Sequence, residues 1–262
     1  MNFSAFLAGC ARRGNVVTVA AGPEWLQGRT AFGGWASAIA YNVARQAGTG
    51  TLGEMPPLRS AMINFVGPIP ATFDVVPRIL RSGRTASWIA VDMIAEGNVV
   101  LNATFLFLQP RDSVVTVANL PPPQVTAGPG EIPREVYGEN PPPFVDRFRS
   151  HPAREGRRGP PEVTQWVRYL DRGGLDGVSE LLLIGDFSPP GFVHQTAERG
   201  GLCSLTWQLN LLGEVPDIGD DFWLVHTTSH HTLAGANSQL MQVWDNVGNP
   251  VAAGQQETAL FF

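Results

Sequence analysis

The end of this chain repeats its middle. Residues 82–95 read as one long strand, Gly97-Asn98 as a turn, and residues 99–107 as a second long strand. About 150 residues later the same plan returns: residues 236–246, the turn Val247-Gly248-Asn249, and residues 250–259. Two copies of one β-unit predict a tandem fold with a seam between related halves, a place where ligand sites often form. Aligning Gly97 with Gly248 sets Gln256 against Phe105. A bulky apolar residue in one copy is an amide in the other, which points to chemistry in the second half.

The remaining sequence fills in both halves. Residues 16–20 read as a short strand, and Phe32-Gly33-Gly34-Trp35 leads into an Ala-rich helix expected to end near Gly48. Strands follow at 57–65, 72–82, 86–95 and 99–109. Residues 110–161 carry twelve of the 22 prolines and an Arg-rich run from Arg147 to Arg158, so they read as an extended linker with a solvated basic face. The second half restarts with a strand at 163–170, a helix at 175–184 and strands at 202–209, 222–232, 238–244 and 251–261. The expected class is α+β, with an antiparallel sheet curled around a central helix in each half. The division is 1–109, linker 110–161, and 162–262.

Composition narrows the function. With 44% apolar and 16% charged residues the chain is globular, and its formal net charge of −5 with no basic stripe argues against nucleic acid. All 18 basic residues are Arg, which removes Schiff-base and P-loop lysine chemistry. Cys10 and Cys203 have neither disulfide-framework nor metal-site spacing. The apolar run at residues 5–10 is too short for a signal core or a membrane span, so a soluble, cytoplasmic protein is expected. There is no G-x-S-x-G elbow and no G-x-G-x-x-G. His226 and His230 would share a strand face but lie about 13 Å apart, too far for one ion, and His231 points away; no metal site is expected.

Phe32-Gly33-Gly34 opening the first helix, the stretch from Arg81-Ser82-Gly83-Arg84 through Gly97 to Ala103-Thr104-Phe105, and the closing Gln256-Glu257 resemble the double-hotdog acyl-CoA thioesterases of the thioesterase II type. The resemblance covers nearly the whole chain. It implies hydrolysis of a fatty acyl-CoA to free acid and CoA, with no cofactor, by a water positioned by an Asp, a Thr and a Gln of the second half. These map to Asp186, Thr206 and Gln256. Thr258 stands where a glycine is common.

Each residue type suits that chemistry. A carboxylate whose pKa is raised by burial can take a proton from water, and an amide and a hydroxyl can orient that water without adding charge. Asp186 could equally be a plain turn carboxylate after a helix. Strict alternation on 202–210 puts Ser204 and Thr206 on one polar face, with Leu205 and Trp207 on the other. A buried Gln256 must find a specific partner. The amides of Gly33 and Gly34 start a helix and could bind the thioester carbonyl, or the glycines could simply permit close packing. The acyl chain is expected between helix and sheet. Two other functions fit the same fold: an enoyl-thioester hydratase or dehydratase using Asp186 with His194, and a non-catalytic acyl-CoA-binding protein. Exposed sheet faces suggest a homodimer.

Overall fold

The computed structural model describes residues 3–132, 141–154, 159–197 and 200–261. The first half contains α1 (Phe3–Gly9), β1 (Ala11–Arg13), β2 (Val16–Ala20), a small hairpin of β3 (Leu26–Gln27) and β4 (Thr30–Ala31), and the long helix α2 (Gly33–Leu52). It ends in β5 (Leu58–Phe65), β6 (Thr72–Ser82), β7 (Ala86–Ala95) and β8 (Asn98–Leu108). The second half contains β9 (Phe148–Pro152), β10 (Glu162–Tyr169), α3 (Gly177–Gly185), β11 (Gly201–Leu211), β12 (Trp223–Leu233), β13 (Ala236–Trp244) and β14 (Pro250–Phe261).

The repeat is a true duplication of topology. Twelve strands form one antiparallel sheet in the order β1-β2-β6-β7-β8-β5-β11-β14-β13-β12-β10-β9. Read outward from the β5–β11 junction, both halves have the same order. The related turns both bend through a glycine with positive φ, 80° at Gly97 and 90° at Gly248, a conformation that favours glycine. This is the expected double-hotdog α+β fold.

Differences from the sequence expectation have local causes. The first helix runs past Gly48 to Leu52 and stops at Gly53, whose φ is 85°. Burial of most of its first three turns carries it through two glycines that would weaken an isolated helix. α1 and β1 have no counterpart in the sequence expectation; Phe3 and Leu7 of α1 are buried in the core. The Pro-rich stretch is more than extended chain. It contributes β9, paired with β10, and straps the outer face of the second half. There, Trp166 and Trp244 donate their indole N–H groups to the carbonyls of Ala127 (2.9 Å) and Leu120 (3.1 Å). Of the Arg run, Arg147 lies over the Trp25 ring and Arg154 pairs with Glu162, while Arg157 and Arg158 fall outside the described residues.

The two halves pack their interiors differently. In the first, Phe105 lies opposite Ile89 across the strands, and Phe105 and Phe107 sit against Tyr41 of α2 at ring separations of 6.0 and 6.3 Å. In the second, the equivalent pair is Gln256 opposite Gln239. The helices differ too. α2 has 20 residues, about 30 Å at 1.5 Å per residue, whereas α3 has nine. α3 packs on α2 and β10 and leaves β13 and β14 without a long apolar helix against them. The segment after Gly185 turns across the opening instead, bringing Asp186 to the inner face of the sheet.

Candidate active site

Asp186 is the C-cap of α3, just where the helix stops. The helix is held at its other end by Asp176, which accepts from the Ser179 N–H at 2.8 Å, and by a 2.8 Å ion pair between Glu180 and Arg172. Its last turn crosses the first turn of α2. The approach is so close that a Cβ on Gly34 would stand 2.8 and 2.9 Å from the carbonyl oxygens of Leu182 and Leu183. A Cβ on Gly33 would stand 2.5 Å from Asp186 Oδ2. The carboxylate of the second half therefore rests on the amino end of the first half's helix, where the backbone dipole favours negative charge.

Three donors converge on this carboxylate. Ser204 Oγ donates to Asp186 Oδ1 at 3.0 Å, and Gln256 Nε2 donates to the same oxygen at 2.9 Å. Gln256 Nε2 also donates to Ser204 Oγ at 2.8 Å, and the backbone N–H of Gly34 adds a further bond to the carboxylate. Burial pushes the Asp186 pKa up from 3.8 to about 6, with the Ser204, Gln256 and Gly34 hydrogen bonds pulling the other way. Desolvation wins. The result is a half-buried carboxylate that changes protonation close to neutrality.

Asp186 and Gln256 thus meet, 70 residues apart in sequence. Thr206 does not join them. A β-bulge between Ser204 and Thr206 makes two residues of β11 face one of β14: Ser204 lies opposite Thr258, and Thr206 opposite Glu257. The extra residue, Leu205, flips the alternation. Ser204 and Trp207 then share the inner face, and Thr206 is exposed on the outer one beside Asn64 of β5. The hydroxyl in the cluster is Ser204, which strict alternation could not single out. The Gly34 amide, considered as a carbonyl ligand, is bonded to Asp186 instead.

Gln256 has the specific partner its burial requires: its Oε1 accepts from Gln239 Nε2 at 2.7 Å. Gln239 Oε1 in turn accepts from the Gly191 N–H at 3.2 Å. Asn237 and Thr258 extend this polar chain along β13 and β14, all with 5% exposure or less. His226 sits in a hydrogen-bonded network on its strand. His226 bonds Thr164 (2.8 Å) and Thr228 (2.9 Å), burial lowers its pKa, and no group of three metal-binding side chains occurs among the described residues.

A cavity of about 420 Å³ opens near the end of β12, lined by Phe192, Leu260, Pro161, Ser229 and Thr232 among others. Neither Asp186 nor Gln256 lines it. Gln256, Thr258 and Leu260 alternate on one face of β14, so Leu260 at the cavity lies roughly 13 Å along the strand from Gln256. In the first half, Tyr41, Phe105 and Phe107 pack into the space between helix and sheet.

Comparison with known proteins agrees with this architecture. Structures of similar fold include a protein of unknown function with a hot dog fold from Alicyclobacillus acidocaldarius (19% identity, TM-score 0.84, covering 98% of this chain and 97% of that one). A putative thioesterase II from Thermobifida fusca is 20% identical over 100% and 98% of the two chains, with a TM-score of 0.81. The tesB protein of Mycobacterium avium subs paratuberculosis is 17% identical over 99% and 98%, with a TM-score of 0.79. No curated protein matches the chain in sequence. No helix among the described residues is long and apolar enough to cross a membrane. The sequence matches the acyl-CoA thioesterase N-terminal domain over residues 21–108 and the acyl-CoA thioesterase C-terminal domain over residues 117–260. With both domains present, in order, over most of its length, the chain belongs to the acyl-CoA thioesterase family.

Proposed function

We propose that this protein hydrolyses a fatty acyl-CoA thioester to the free acid and CoA, with Asp186 as the general base. The observation that carries this reading is one half-buried carboxylate with a pKa near 6, bonded jointly by Ser204 and Gln256 at the seam between the halves. Oδ1 already accepts two donors, so Oδ2, beside Gly33, is the oxygen that takes a proton from the attacking water. Ser204 Oγ receives one bond and gives one, and it keeps a lone pair for that water. Water then adds to the thioester carbonyl, the C–S bond breaks, and the proton held by Asp186 passes to the departing thiolate. No cofactor enters these steps.

The test is release of CoA thiol from acyl-CoA substrates of graded length. Loss of enoyl absorbance from crotonyl-CoA without thiol release would support a hydratase instead, and tight acyl-CoA binding with no turnover would support a binding protein. Ser204→Ala should lower kcat about 10–100-fold, the scale of one to three kcal/mol for a hydrogen bond to a charged group. Thr206→Ala should stay within about twofold, because Thr206 faces away. Equal losses in both variants would remove Ser204 from the mechanism.

We place the end of the acyl chain in the cavity at Phe192 and Leu260. Its apolar lining suits a hydrocarbon, and its volume lies within the range for small-ligand sites. Leu260→Trp should then shift preference towards shorter chains with little change on the shortest substrate. An unaltered chain-length profile would assign the acyl chain elsewhere.

A further inference from the structure

We propose that Gln239 is a positioning residue for this site, fixing which end of the Gln256 amide faces Asp186. The inference rests on the reading of Asp186 and Gln256 as the reacting groups, and it adds a residue that neither the repeat nor the family resemblance marks. An amide side chain can turn over and exchange its oxygen for its nitrogen, so something must choose. Here the choice starts from a backbone N–H, which can only donate.

The chain of logic follows the hydrogen bonds. Gly191 N–H faces Gln239 Oε1 at 3.2 Å, so Gln239 must point its Nε2 the other way. That Nε2 meets Gln256 Oε1 at 2.7 Å, which leaves Gln256 Nε2 for Asp186 and Ser204 at 2.9 and 2.8 Å. Asn237 Nδ2 adds a longer contact to Gln239 Oε1 at 3.5 Å and bonds Thr258 Oγ1 at 3.1 Å. Gln239 and Gln256 are 1% and 5% exposed, so solvent offers no easy substitute for a lost partner. Gly191 itself is pinned, since a Cβ there would run into the backbone of Pro161, Ser229 and Thr227. A turned Gln256 would aim its carbonyl oxygen at the Asp186 carboxylate and withdraw the donor that favours the charged form. In the first half the equivalents are Ile89 and Phe105, with nothing to orient.

Two measurements test this. In the wild-type protein, the side-chain NH2 resonances of Gln256 should move with the titration of Asp186, while those of Gln239 stay nearly fixed. The reverse pattern, or Gln256 hydrogens exchanging as fast as those of a free amide, would overturn the proposal whether or not the protein hydrolyses thioesters. The second uses variants. Gln239→Met should lower kcat on the order of 10–100-fold with KM within about twofold. Gln239→Glu should be near wild type while its carboxyl is protonated, because O–H can serve Gln256 and C=O can serve Gly191. On ionisation it becomes acceptor-only and should forfeit activity, adding a basic limb to the pH profile that wild type lacks. A merely structural residue would lose activity only as the fold is lost, so the limb is read at pH values where the Glu variant keeps its wild-type circular dichroism, and a folded Glu variant without one argues against the assignment. If wild type and all variants fail to release CoA while the NMR pattern holds, the functional reading fails and the orientation stands.

Discussion

Asp186→Asn should lose about 10²–10⁴-fold in kcat, the range for removal of a general base, and yet melt at a higher temperature than wild type at pH 8. Both effects come from the same burial. A folded-state pKa of about 6 against 3.8 for the free group means that ionised Asp186 costs the folded protein about 2–3 kcal/mol, at roughly 1.4 kcal/mol per pH unit and allowing for its partial exposure. Because the folded pKa is the higher one, the cost is absent below pH 3.8, where both states are protonated. It grows as pH rises and is complete above about 6. Asn keeps an oxygen for Ser204 and Gln256 but sets its NH2 against the Gly34 N–H, so only part of the gain is realised. A rise in Tm of roughly 2–4 °C at pH 8, vanishing near pH 4, is the expected signature. Wild-type kcat/KM should climb with an apparent pKa near 6, and the residual activity of the variant should not. A Tm difference independent of pH, or undiminished hydrolysis, would refute the role given to Asp186.

Two identical substitutions in α2 should have opposite effects. Gly34→Ala puts a methyl group within 3 Å of two carbonyl oxygens of α3, which cannot swing aside as a side chain can. Overpacking of this kind costs about 1–3 kcal/mol, or a Tm lower by roughly 2–10 °C. Prying the helices apart also carries the Gly34 N–H away from Asp186, so activity should fall with stability. Gly50→Ala, near the other end of the same helix, meets nothing within 4 Å and needs no positive φ. It should stabilise by about 0.4–1 kcal/mol, through helix propensity and a less flexible unfolded chain. Differential scanning calorimetry of both variants, with CoA release measured alongside, decides the point. Equal Tm shifts would mean that the α2–α3 crossing does not limit the structure.

A carboxylate kept in a partly desolvated crossing of two helices links these predictions. The second half keeps an apolar core around Trp207, Trp223, Met241 and Val243 but has a short helix, and beside that core the polar chain from Gly191 through Gln239 to Gln256 is satisfied by hydrogen bonds. Half-satisfied, the same chain would be worse than the phenylalanines it replaces.

The repeat, the strand bounds and the amide at Gln256 in place of Phe105 were legible in the sequence, and the family resemblance added Asp186. Period-two alternation, glycine turns and the end of an apolar helix are encoded within a few neighbouring residues. Tertiary structure alone decided the rest. No glycine or proline marks the bulge at Leu205, whose position depends on how β11 registers against β14, so it was unreadable along the chain that Ser204, and not Thr206, reaches Asp186. The bond from Gly34 to Asp186 joins groups about 150 residues apart, and Gln239 finds Gln256 only through strand pairing. Local chemistry wrote the elements; non-local packing chose which of their polar groups would meet.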